Sequence, residues 1–150
     1  MTRSTDLFMR LTGRGLHVRP LLTVVQTKGS FRLSNGAATV AARITRARRL
    51  VDESVSPLYN IASSAEAEWA SVYYGLLLAR ANKETFVGVE NERVDVVMSL
   101  LIGPPREHRP YVDYYTKKIM DVAEGMEWCG IRWISREENG ASRMMSPSRV

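Results

Sequence analysis

The pair Asn35-Gly36, set between two runs rich in β-branched residues, constrains the chain more than any other short segment. An Asn-Gly pair suits the tight turns that join antiparallel strands, so residues 37–44 return beside the strand that precedes the turn. That first strand is an apolar run over residues 21–25, ended by Lys28-Gly29-Ser30. A third strand over residues 54–61 is confined by Pro57 to an edge or a bulge, because proline lacks the N–H that a central ladder needs. Three antiparallel strands come first.

Ser63-Ser64 ahead of Ala65-Glu66-Ala67-Glu68 reads as a helix start, a serine cap followed by carboxylates that suit the helix dipole. The helix runs to about residue 82. Glu68, Val72, Gly75 and Ala79 share one face and Trp69, Tyr73, Leu76 and Arg80 the next, which puts a carboxylate at one end of the sheet-facing stripe. The order continues with a strand over 85–89, a helix over 93–101, a helix over 111–124 behind Pro110, a strand over 128–135 and a short helix after Asn139-Gly140. Residues 1–20 read as an N-terminal extension with a short apolar patch (Phe8, Met9, Leu11), residues 21–145 as one domain, and residues 146–150 as a flexible tail.

No window approaches the roughly 18–20 apolar residues of a membrane span, and the first ten residues lack the apolar core of a signal peptide. A soluble, intracellular protein without a membrane partner is expected. Cys129 is the only cysteine, which excludes an intrachain disulfide or a zinc site built on several thiolates, and it is read as an inert, half-buried strand residue. His17 and His108 are the only histidines, so a zinc site or a His-centred triad is not expected, and Ser30 and Ser142 have no evident base. The tyrosines and tryptophans read mostly as core. The net charge of +5 favours polyanionic partners. Arg43, Arg46, Arg48 and Arg49 crowd one turn region, open to reading as a solvated edge or as a phosphate-tracking surface.

This order of elements, with a Gly-Ser turn after the first strand and a Glu inside the first long helix, resembles the ribonuclease H family over roughly residues 21–145. The run Arg132-Trp133-Ile134-Ser135-Arg136-Glu137-Glu138-Asn139-Gly140-Ala141-Ser142 is similar to that family's final strand, Arg-Glu-x-Asn turn and Ala-Asp pair, with serine in place of the Asp. Ala67-Glu68-Trp69, followed by Gly75-Leu76 and Ala79, is similar to its Ala-Glu-aromatic helix. The resemblance implies an α/β fold, a ribonuclease H-like mixed five-stranded sheet flanked by helices. It also implies hydrolysis of the RNA strand of RNA–DNA hybrids by two magnesium ions on four carboxylates, a chemistry that needs clustered anionic oxygens.

The four corresponding positions here are Lys28, Glu68, Glu92 and Ser142, so two carboxylates remain. Lys28 changes the local charge by about two units relative to Asp, and no Asp or Glu lies between Asp6 and Asp52 to replace it. The resemblance therefore implies a degenerate member with no assigned catalytic residue and no expected cofactor; Mg2+ or Mn2+ would sit on Glu68 and Glu92 if the domain were active. Glu68 has a second reading as the ion-pair partner of Lys28. Nucleic acid, as RNA–DNA hybrid or RNA, is the implied partner, with Gly29, Ser30, Ser63, Ser64 and Arg136 at the positions that grip its backbone. The alternatives are a protein-interaction module, favoured by exposure of the Phe8 patch, and an active metal-dependent endoribonuclease.

Overall fold

The structure, a computed structural model, describes residues 8–13 and 22–145. β2 (Thr23–Arg32) and β3 (Ala37–Arg46) form the expected hairpin, closed by residues 33–36. Gly36 takes a left-handed φ of +70°, and the Asn35 side chain accepts the Ala37 N–H at 3.0 Å. β2 does not break at Lys28-Gly29-Ser30, contrary to expectation. It runs on to Arg32 because Gly29 serves close packing rather than a turn: a Cβ there would lie 2.1 Å from the Ala67 carbonyl oxygen. β4 (Arg49–Leu58) returns along β3 and is the sheet edge that Pro57 requires, beginning five residues before the expected strand.

α1 (Ser64–Ala81) starts where the serine pair predicts, with the Ser63 hydroxyl accepting the Glu66 N–H at 3.1 Å. It lies across β2 and β3, brought close at Gly75, where a Cβ would meet Thr27 and Val25. β5 (Phe86–Asn91) pairs parallel to β2, and β6 (Trp128–Trp133) parallel to β5. α2 (Val94–Ile102) and α3 (Pro110–Glu124) make the connection between them, α3 packing beside α1. Val25, Ile44, Leu76, Val89, Ile119 and Ile131 are fully buried at the centre of this core. α4 (Gly140–Met144) packs on β2 and β3. No helix among the described residues is long and apolar enough to cross a membrane.

The sheet has six strands, in the order β1-β6-β5-β2-β3-β4, rather than the expected five. The sixth, β1 (Met9–Gly13), comes from the stretch read as an extension and pairs antiparallel with β6. Nor is the Phe8 patch exposed as a unit. Met9 is on the surface, but Leu11 packs against the core and Phe8 is 4% exposed, laid against Gly88 with the Arg132 guanidinium 4.1 Å from its ring centroid. Phe8→Leu should therefore cost about 1.5 kcal/mol in urea unfolding, from lost shape fit and cation–π contact. A change below about 0.5 kcal/mol, the range of ordinary surface substitutions, would show that Phe8 does not anchor β1. The expected tail, residues 146–150, lies outside the described residues.

Candidate functional site

The fold brings Lys28, Glu68 and Glu92, three of the four positions that the resemblance singles out, together. Lys28 lies in the middle of β2, one residue past the part paired with β5, Glu92 immediately follows β5, and Glu68 sits in the first turns of α1. The Lys28 Nζ donates to Glu68 Oε2 at 2.8 Å and to Glu92 Oε2 at 3.0 Å, so one ammonium bridges both carboxylates. The other two carboxylate oxygens are also engaged. Glu68 Oε1 accepts the Gly29 N–H at 2.9 Å and the Asn91 amide at 3.4 Å, and Glu92 Oε1 accepts the Asn139 amide at 3.1 Å.

Side-chain exposure is 17% for Lys28, 4% for Glu68 and 11% for Glu92. Charges this shielded persist only when paired and hydrogen-bonded. Burial alone would lower the Lys28 pKa, but the Glu68 charge and the hydrogen bonds to Glu68 and Glu92 outweigh it and hold the pKa above the ordinary lysine value of 10.5. A group whose pKa is raised on folding stabilises below its unfolded pKa and loses that contribution as pH rises through the folded value. As far as the titration of Lys28 itself goes, its contribution is therefore present below about pH 10.5 and is lost as pH rises through the folded value. Lys28→Met should remove that alkaline loss from a plot of melting temperature against pH; an unchanged alkaline limb would place its origin elsewhere.

Ser142, the fourth position, is 8% exposed on α4, and its backbone N–H donates to the carbonyl of Asn139, whose amide touches Glu92. It brings no charge. The donor set does not fit the magnesium pair that active ribonucleases H use. A cation between Glu68 and Glu92 would have to displace the Lys28 ammonium, and no carboxylate stands at Ser142 to add to them. Among the described residues, no group of three or more His, Cys, Asp or Glu is placed to hold a metal ion.

The positions that the resemblance assigns to nucleic-acid contact divide by exposure. Ser30, Ser64 and Arg136 are exposed. Gly29 is buried with its N–H committed to Glu68, and Ser63 spends its hydroxyl on capping α1. Cys129 is fully buried rather than half-buried, and burial pushes its thiol up to about 12, which leaves it unreactive. Tyr115 and Trp128 are core, whereas Tyr74, Tyr114 and Trp133 are exposed.

A second polar network escaped the sequence reading. Glu90 and Arg132 face each other across β5 and β6, joined through Arg132 Nε and Glu90 Oε2 at 2.8 Å, and the Gln26 amide donates to Glu90 Oε1 at 2.8 Å. Gln26 Oε1 accepts the Gly140 N–H at 2.8 Å, which fixes the start of α4 and hence the placement of Ser142. A signal was present: Glu90 and Arg132 are opposite charges embedded in otherwise apolar strands.

A mixed sheet of this order, with its polar cluster where the middle of β2 and the end of β5 meet the start of α1, defines a ribonuclease H-like domain. The family model described as reverse transcriptase-like matches residues 26–147, and the chain belongs to that family. No curated protein matches it in sequence. Among solved structures it is similar to the N-terminal RNase H domain of a Mycobacterium tuberculosis protein, solved as a fusion with maltose-binding protein, at 21% identity and TM-score 0.72, covering 82% of this chain and 89% of that one. It is similar to RNase H1 from the archaeon Halobacterium salinarum at 16% identity and TM-score 0.74, covering 82% and 92%. The third is LC11-RNase H1 in complex with RNA/DNA hybrid, at 18% identity and TM-score 0.71, again covering 82% and 92%. At these identities the likeness concerns the fold.

Proposed function

We propose that this ribonuclease H-like domain binds nucleic acid inside the cell, as RNA–DNA hybrid or RNA, and does not run metal-dependent hydrolysis. The observation that carries the reading is the Lys28 ammonium at 2.8 and 3.0 Å from Glu68 and Glu92. Two-metal hydrolysis needs two cations held at fixed separation by several anionic oxygens. Here a tethered cation satisfies the remaining carboxylates, and Ser142 supplies none. Binding survives such a change because backbone recognition depends on phosphate contacts and hydrogen-bond donors rather than on the metals. Exposed Ser30, Ser64 and Arg136, together with the net charge of +5, supply such groups. A hybrid solved with LC11-RNase H1 supports the choice of ligand class.

The test is a titration of a labelled RNA–DNA hybrid at two ionic strengths, followed by incubation with magnesium or manganese. Four phosphate contacts would give an affinity loss of about 150-fold between 50 and 200 mM salt, with little sequence preference. The RNA strand should remain intact. Metal-dependent cleavage that disappears in Glu68→Gln would overturn the non-catalytic reading, and absence of binding at low salt would transfer the assignment to a protein-interaction module.

A further inference from the structure

We infer that the principal phosphate-contacting surface lies at the tip of the β3–β4 hairpin and the adjoining C-terminal end of α1, at the far end of that helix from Lys28. The inference rests on the nucleic-acid reading above and specifies where the backbone is gripped. α1 spans 18 residues, so the two ends are about 27 Å apart.

The tip is built and held in place. Arg46 forms an ion pair with Glu84, whose other oxygen accepts the Thr23 hydroxyl at 2.6 Å, and the Asn82 amide donates to Asp52 at 2.9 Å. These contacts tie the hairpin to the turn after α1; Glu84 is neutralised by Arg46, and Asp52 is held by neutral donors. Arg48, Arg49, Arg80 and Lys83 remain, all exposed and none with a side-chain ion pair or hydrogen bond among the described residues. Four cations on a fixed platform, against Glu84 already paired and Asp52 as a single remaining acid, match a polyphosphate backbone.

The backbone supplies an independent observation. Ala47 and Arg48 make the two-residue connection between β3 and β4 with φ of +52° and +64°. That geometry favours Asn and Gly, and an arginine held there is strained at a tip where no core packing demands it. Charge is what Arg48 contributes. Arg80 suits the negative end of the helix dipole whatever it binds, but Arg48 has no such internal reason. At the opposite end the balance reverses, since Glu66, Glu68, Glu92, Glu137 and Glu138 outnumber Lys28, Arg32, Arg136 and Arg143. Nucleic acid is favoured over an anionic membrane because Leu50 is the only large apolar side chain exposed beside the tip among the described residues.

The experiment titrates the full chain with a labelled RNA–DNA hybrid at low salt. Arg48→Glu with Arg49→Glu should weaken binding at least about tenfold and flatten the salt slope by about 2, and Arg80→Glu with Lys83→Glu should do likewise from a second element. Arg136→Glu should cost about threefold or less, a single peripheral contact. Arg48→Gly separates binding from folding: it should raise the melting temperature by relieving the left-handed arginine while lowering affinity. Binding abolished by Arg136→Glu but kept by the tip variants would overturn the location and leave the nucleic-acid reading standing. A wild-type chain that binds no nucleic acid, whether or not it binds phosphatidylserine vesicles, would overturn both.

Discussion

Lys28→Ala is expected to lower stability by about 3 kcal/mol, because removing one partner of a shielded ion pair strands the other charges. For a domain of this size that corresponds to a fall of roughly 6–12 °C in melting temperature. Two carboxylates would be left at the cluster, Glu68 with 4% side-chain exposure and Glu92 with 11%, and no cation between them. The remaining donors, the Gly29 N–H and the Asn91 and Asn139 amides, are neutral and already engaged. Lys28→Met separates charge from packing, since it keeps an unbranched side chain of similar length. A deficit close to that of alanine would assign the stabilisation to the ammonium; recovery of wild-type stability would assign it to packing and remove the electrostatic account.

The second large effect belongs to Gly29→Ala. A Cβ at this position would stand 2.1 Å from the Ala67 carbonyl oxygen, 2.3 Å from its carbon and 2.6 Å from the Glu68 nitrogen. All three are backbone atoms in the first turns of α1, so no side chain can swing aside. The helix would have to lift from β2 and strain the Gly29 N–H contact with Glu68 as it moved. We expect a loss above about 3 kcal/mol, at the upper end for overpacking. Gly36→Ala is the control, because nothing lies within 4 Å of its Cβ and only the φ of +70° opposes the change. It should cost about 1 kcal/mol. Equal effects at the two glycines in chemical denaturation would show that close packing of α1 on β2 is not what Gly29 provides.

These residues also show where sequence was informative. Ser63 and Glu66 mark the start of α1 through the same capping hydrogen bond seen in the structure, and Asn35-Gly36 marks the hairpin because few residues accept a left-handed φ. The Lys28–Glu68 pair followed from the family alignment; the part played by Glu92 and Asn139 did not, because it depends on how β5 and α4 meet in space. Gly29 was misread as a break because a glycine that ends a strand and one that admits a helix look alike in one dimension. β1 was missed because a five-residue edge strand takes its stability from β6, 115 to 122 residues away along the paired register, and carries little period of its own. Glu90 and Arg132 were legible in principle, as opposite charges at matching places in two apolar strands.

The account turns on whether Lys28 holds the place of the metals, and manganese-dependent melting tests that most directly. Lys28→Asp with Ser142→Asp rebuilds four carboxylates at the corresponding positions, and a cation that binds only the folded state at about 100 times its Kd adds about 2.7 kcal/mol of stability. The account predicts that the double variant melts below wild type without metal and rises by roughly 5–10 °C with manganese, while wild type does not move. A manganese-induced rise in the wild-type protein that is lost in Glu68→Gln would contradict it, because the cation would then bind at Glu68 with Lys28 still in place.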